Sequence, residues 1–329
     1  MDSVKAKTYR SRKTTAPRLN KNSQPTIARP MPRDVETFKL LATRDYRVAR
    51  LNMLHALLGE KGGGFLGYQA HMELLSIEPN LYVSRNAHQW RFNHCYNRSS
   101  IYEIAPNGIA YLNSKDIEAE IPKRIPPDRF RHEVLWNEII QSIELGTLRT
   151  PGFRFLSWSR DIKPRAPKQT LESNNPFDIP IEHVRDKGGK DAIHTATPDG
   201  FPFGIEGTDD DGQFYYFMAL EADCDTEDAR HLEHKVRDYI KILEGNIFEK
   251  HFGVPNCFPM FVTTNNPQKR RIANIIGDLT EKKKHLREFF LLNTFLPFDS
   301  DEIPPPPTGH MLTMNYERVG LPDFNFTTS

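Results

Sequence analysis

The chain has 329 residues, 38% of them hydrophobic and 26% charged, with a net charge of +1. That length allows two domains with separate cores, and no run of about 18 apolar residues marks a membrane span. Three widely spaced cysteines, Cys95, Cys224 and Cys257, fit neither a disulfide framework nor a zinc ribbon, and the basic start lacks the apolar segment of a secretory leader, so a cytoplasmic protein is expected.

The charge is uneven. Residues 1–33 hold nine Lys or Arg against Asp2 alone, so this stretch carries +8 and the remainder −7. A disordered basic arm on a mildly acidic body suits a polyanion such as double-stranded DNA, with Arg10, Arg12 and Lys13 as phosphate contacts; a solubilising leader fits the same composition.

Residues 34–120 read as a first domain. Asp34 caps a helix to about Thr43, a second helix runs from about Tyr46 to Leu58, and a third from about Phe65 to Ile77. Strand-like runs follow at Leu81 to Phe92 and Ser100 to Ile104, and Asn107-Gly108 starts a short helical segment. Three helices and a two-stranded wing is the winged-helix order, a variant of helix-turn-helix. The third helix offers Gln69 and His71 as base readers. Arg44, Arg47 and Arg50 on the second helix, with Arg85 and Arg91 in the wing, would contact phosphates. The same module also serves as a protein-docking unit in other chains.

Pro122 and Pro126-Pro127 mark residues 121–128 as a linker, and residues 129–290 as a second domain. Its first helix, from about Arg129 to Leu145, has an apolar face of Leu135, Trp136, Ile139, Ile140 and Ile143. His132 falls inside that stripe, Glu133 at its border and Glu138 well outside. A hydrogen-bonded core histidine accounts for His132 equally well. A strand at Phe153 to Trp158 is followed by a Pro- and Lys-rich excursion over about 163–190 and a strand at Ala192. Strands at Phe201 to Glu206 and Gln213 to Asp223 flank the turn Asp209-Asp210-Asp211-Gly212.

Next comes a helix from about Asp228 to Leu243, with Lys235 and Tyr239 on one flank of its buried face. A strand at Phe258 to Thr263 precedes a helix whose Lys269, Arg270 and Arg271 suit a phosphate backbone. Residues 291–329 read as a Pro-rich extended tail.

Strand alternation puts Glu221 and Asp223 on one face. The hairpin would bring Asp199 to the same place. Three gathered carboxylates raise one another's pKa unless a divalent cation lies between them. A cation such as magnesium held by acids and water suits phosphodiester hydrolysis. Solvated strand ends also collect acids.

From Arg129 onward the order helix, strand, strand, strand, helix, strand, with Pro198-Asp199 and Glu221-Ala222-Asp223, resembles the PD-(D/E)xK nuclease-like core. By that resemblance Asp199 and Glu221 bind magnesium, with Glu133, or failing that Glu138, as a further acid. Asp223 stands where the pattern has lysine, and Lys235 is a displaced substitute. The spacing of Lys235 and Tyr239 resembles a Gln-to-Tyr helix motif of that group.

The chain as a whole resembles the replication-relaxation family of plasmids and mobile elements. The residues that carry this are Asp34-Val35-Glu36, Ser100-Ile101-Tyr102-Glu103-Ile104, Pro198-Asp199-Gly200, Phe203-Gly204-Ile205-Glu206, Leu220-Glu221-Ala222-Asp223 with Thr226-Glu227, and Phe261-Val262-Thr263-Thr264-Asn265. The expected fold is α/β (α+β), a winged helix followed by an α-β-β-β-α-β core. The expected function is DNA binding with magnesium-dependent nicking through Asp199, Glu221, Asp223, Lys235 and Tyr239. The alternative is a non-catalytic accessory factor that meets replication or transfer proteins.

Overall fold

The structure is a computed structural model. It describes residues 26–42, 46–86, 88–89, 100–120, 122, 125–185, 191–209, 212–255, 257–295 and 307–328. Arg10, Arg12, Lys13, Arg44 and Arg91 lie outside the described residues. The chain mixes helices and sheets, as expected of the α/β class.

The first half contains α1 (Pro32–Ala42), β1 (Ala49–Arg50), α2 (Leu51–Leu58), α3 (Phe65–Leu75), β2 (Val83–Arg85), β3 (Ile101–Ile104) and α4 (Pro106–Asn113). The strands form an antiparallel sheet in the order β1-β3-β2. Phe38, Leu41, Leu54, Tyr68, Met72 and Val83 fill the core between helices and sheet.

The expected helix start at Tyr46 is corrected. Residues 46–48 lie in no helix or strand and Ala49–Arg50 form β1, because this backbone bonds to α5 side chains and to a neighbouring strand and not to its own turn. Arg47 N donates to Asn137 Oδ1 at 3.0 Å, and Gln141 Nε2 donates to Val48 O at 2.9 Å. Ala49 and Arg50 pair with Tyr102 and Ile101. Tertiary partners of this kind override helical spacing over a single turn.

The second half opens with α5 (Phe130–Arg149) and continues through β4 (Phe153–Leu156), α6 (Lys168–Leu171), β5 (Ile179–Arg185), β6 (Asp191–Ala196), β7 (Phe203–Asp209), β8 (Gly212–Asp223), α7 (Ala229–Glu244), α8 (Ile247–Phe252), β9 (Phe258–Thr263) and α9 (Asn266–Leu279). The expected excursion before Ala192 therefore holds a short helix and a strand, and β5 pairs with β6 as a separate hairpin. Ile125, in the stretch read as a linker, is buried with Val48, Ile101, Phe130 and Val134.

The stretch after residue 290 is not a simple extended tail. It supplies β10 (Leu291–Thr294), α10 (His310–Thr313), β11 (Tyr316–Arg318) and β12 (Leu321–Phe324). These strands complete a seven-stranded sheet in the order β12-β11-β10-β9-β8-β7-β4. β8, β9 and β10 run parallel, and the other pairings are antiparallel. Buried Leu291 and Leu292 give β9 its second neighbour. α10 lies on α5 where two glycines meet. A methyl at Gly309, which has φ +76°, would stand 2.5 Å from Gly146 N.

β8 ends at Asp223 and β9 at Thr263, and α7 and α9 leave from those ends and pack on each other. In sheets of this kind the carboxyl ends of parallel strands are where sites form.

Candidate functional site

The site lies where the end of β8 meets α5 and α7. Asp199 precedes β7, yet it is fastened to β8. Its N–H donates to Leu220 O at 2.8 Å, and its Oδ2 accepts from Ala222 N at 2.9 Å. Gly200 makes this turn possible, because its φ of +86° lies in the left-handed region and its open side faces the Trp136 ring.

Glu221 projects from β8 into a closed space and is 4% exposed. Tyr239 OH donates to its Oε1 at 2.6 Å, and Lys235 Nζ stands 2.6 Å from its Oε2. That second contact is an ion pair without good hydrogen-bond alignment. Lys235 Nζ also donates to Glu227 Oε1 at 2.7 Å and lies 3.9 Å from Asp199 Oδ2. Lys235 and Tyr239 are one helical turn apart on α7, so both reach the same carboxylate. From α5, His132 Nε2 stands 3.2 Å from Asp199 Oδ1.

These neighbours set the charge states. Burial lifts Glu221 to about 7; the Lys235 ammonium opposes the shift, and Asp199 adds to it. Burial would lift Asp199 as well, but His132, Lys235 and the Ala222 N–H together hold it below the ordinary aspartate value. Lys235 rises above the ordinary lysine value because Glu221, Asp199 and Glu227 outweigh burial, so it stays an ammonium. Burial and Glu221 push Tyr239 well up, which keeps it a phenol donating to Glu221. His132 is raised, its burial outweighed by Asp199.

Asp199, Glu221, Lys235 and Tyr239 are thus brought together as the sequence suggested. Asp223 is not with them. Its Oδ2 accepts from Gln268 Nε2 at 2.6 Å and its Oδ1 from Thr226 N at 3.1 Å. The chain turns out of the strand here, and Asp223 caps that turn instead of facing the Lys235 amine. Glu133 Oε1 accepts from Arg47 Nη1 at 2.7 Å, while its Oε2 is buried with no hydrogen-bond partner among the described residues. Burial raises Glu133, and Arg47 opposes the shift. Among the described residues no group of three or more His, Cys, Asp or Glu side chains is arranged to hold a metal ion.

The cations expected on DNA separate into two sets. Arg47 is paired with Glu133, and Arg50 is buried against Glu138. Both pair with acids of α5; Arg50 is shut away from solvent, while the Arg47 side chain keeps 25% exposure. On α3, Gln69 is half-buried, and His71 Nε2 lies 2.8 Å from Asp34 Oδ2 instead of reaching outward. The exposed side of α3 carries Leu66, 79% exposed, and no Lys or Arg. Arg85 is half-buried on β2. Lys269 pairs with Glu317 at 2.9 Å, whereas Arg270 and Arg271 are exposed on α9.

Glu227 and Gln268 join the site unforeseen. Glu227 belongs to no helix or strand, so no periodicity points to it.

The family model for replication-relaxation matches residues 72–256, more than half of the chain. The chain belongs to the replication-relaxation family. The matched stretch runs from α3 through α8 and includes His132, Asp199, Glu221, Glu227, Lys235 and Tyr239. Membership in the replication-relaxation family points to a role in replication or relaxation of plasmids or mobile elements. No curated protein and no solved structure matches the chain. Among the described residues no helix is long and apolar enough to cross a membrane.

Proposed function

We propose that this replication-relaxation protein binds double-stranded DNA in the cytoplasm and nicks one strand by magnesium-assisted hydrolysis. One observation carries the reading: the Lys235 ammonium lies 2.6 Å from Glu221 and 3.9 Å from Asp199. This is the pair of carboxylates and the amine that a nuclease-like core would use, although the lysine comes from α7 and not from β8.

The donor set fits magnesium. That ion uses one or two carboxylates, with water and phosphate oxygens completing its shell. Glu221 Oε2 is a buried oxygen without an aligned hydrogen bond, and the ammonium beside it is already a cation resting on both acids. Asp199 and Glu221 would hold the ion; Glu133 has one oxygen on Arg47 and the other buried without a partner among the described residues. When bound, magnesium lowers the pKa of water and stabilises charge on the phosphoryl oxygens.

The chain's own groups do the positioning. Tyr239 orients Glu221, while Ala222 N–H and His132 orient Asp199. Lys235 places a fixed positive charge where a phosphate oxygen would gain charge. Arg270 and Arg271 on α9 provide exposed phosphate contacts near the carboxyl ends of β8 and β9. In the first half, the order α1-β1-α2-α3-β2-β3 with its three-stranded sheet supports a winged-helix reading.

A second reading has a specific observation in its favour. Asp223 occupies the lysine position of the nuclease pattern and is tied to Gln268, so the domain could serve as a non-catalytic scaffold for DNA and for replication or transfer proteins. Purified protein, supercoiled plasmid and magnesium separate the two. The first predicts nicked circles that Asp199→Asn and Lys235→Ala abolish; tight DNA binding without nicking leaves only the second.

A further inference from the structure

The loop between β8 and α7 is folded by side chains that take no direct part in the Lys235 contacts. Asp223 Oδ1 accepts from Thr226 N, Asp225 adopts φ +63°, and Gln268 Nε2 links Asp223 Oδ2 at 2.6 Å to Glu227 O at 3.3 Å. These bonds turn Glu227 back toward α7. Its Oε1 then meets Lys235 Nζ at 2.7 Å, beside the Glu221 contact at 2.6 Å. Its Oε2 is buried with no hydrogen-bond partner among the described residues.

A lysine has a flexible four-carbon stem and a compact charge with three rotatable donors, so a single carboxylate leaves it free to swing. Two carboxylates, Glu227 as hydrogen-bond acceptor at 2.7 Å and Glu221 as ion-pair partner at 2.6 Å, hold the nitrogen in place, 3.9 Å from Asp199. Glu221 cannot serve both as the anchor of Lys235 and as a ligand of a metal ion with the same oxygen. Glu227 can anchor the amine while leaving Glu221 available.

We infer that Glu227 is a positioning residue that holds the Lys235 amine beside Asp199 and Glu221, and that Asp223 and Gln268 serve it by shaping the loop. The inference deepens the nicking reading and rests on it for its catalytic consequence. The placement of Lys235 itself is measurable without any catalysis.

The test is acylation of the full-length protein by an N-hydroxysuccinimide ester at neutral pH, read by peptide mass spectrometry. Lys168, whose side chain is 85% exposed, serves as the internal reference. Glu227→Gln is expected to raise Lys235 labelling about fivefold, the effect of losing a part-buried ion pair. Glu227→Asp, which keeps the charge, is expected to restore protection. In plasmid nicking, Glu227→Gln should lower kcat about a hundredfold with KM for DNA unchanged, as a misplaced catalytic group does, and Glu227→Asp should recover part of the rate.

Unchanged Lys235 labelling in Glu227→Gln overturns the inference, whatever happens to nicking. Raised labelling with normal nicking overturns its catalytic part. Raised labelling in a protein whose wild type never nicks DNA leaves the placement of Lys235 established and removes the hydrolytic reading instead.

Discussion

Glu138→Ala offers the sharpest test of how the two halves are joined. Arg50 and Glu138 form an ion pair between the start of α2 and α5, with side-chain exposures of 3% and 7%. Burial raises Glu138, and Arg50 opposes the shift, so the pair depends on its own internal attraction. Removing one partner leaves a guanidinium shut away from water, which costs about 3–5 kcal/mol. Replacing both by apolar groups of similar volume removes the desolvation penalty along with the attraction and is often neutral or better. Glu138→Ala and Arg50→Ala are each expected to lower the unfolding free energy by about 3–5 kcal/mol. The double variant Arg50→Met with Glu138→Leu should fall far short of the sum. Urea unfolding followed by tryptophan fluorescence provides the measurement, and Trp136 on α5 reports from within the affected helix. A cost below about 1 kcal/mol for Glu138→Ala, the range of exposed pairs, would refute the view that this contact is buried and structural. Strict additivity of the two single variants would refute it as well.

Three further outcomes are expected. Gly200→Ala should cost about 1–3 kcal/mol, because the new methyl would meet Trp136 Cε3 at 2.8 Å on a residue with φ +86°; a melting temperature equal to wild type would contradict the geometry at Asp199. Glu221, raised from 4.5 to about 7 in the folded metal-free protein, holds an extra proton relative to the unfolded chain, so its stabilising contribution is complete below pH 4.5 and disappears as pH rises to about 7. Comparing unfolding against pH in wild type and Glu221→Gln should show a difference in slope of at most about 1.4 kcal/mol per pH unit across that window, and parallel curves would sink the assignment. Replacing Arg270 and Arg271 by Ala should reduce the slope of log affinity against log salt by about 2 on duplex DNA, whereas Arg47→Ala should leave that slope alone; the reverse result would put the DNA on the face of β1.

The parts of the site that periodicity can express were legible in the sequence. One turn of helix links Lys235 to Tyr239, and strand pairing brings Asp199 to the end of β8, so both relations follow from local geometry. The errors arise where tertiary contacts decide. Glu133, at the border of the apolar stripe of α5, reads as a site-facing acid, and Glu138, well outside it, as one less suited to the site. In the fold α5 is covered on a second side by residues 46–50, and those acids meet Arg47 and Arg50 there. Alternation within a strand put Asp223 beside Glu221, but a strand's last residue follows the turn that comes after it. β10, β11 and β12 are three or four residues long, too short for a pattern, and exist because β9 has a free edge for Leu291 and Leu292 to pair with.

Acids outnumber bases around the Lys235 amine. Asp199, Glu221 and Glu227 bring three carboxylates to one amine, and His132 adds at most one further positive charge. A buried excess of acid is unfavourable unless a proton or a cation offsets it. The fold offsets part of it by holding Lys235 charged and by raising Glu221 toward neutral pH. A divalent ion binds only the deprotonated carboxylate, so binding at Glu221 would release that proton and weaken as pH falls. The burial that makes a bare carboxylate costly at Glu221 also makes a neighbouring cation favourable. On this argument the nuclease reading needs no lysine at position 223: the positive charge reaches the carboxylates from α7.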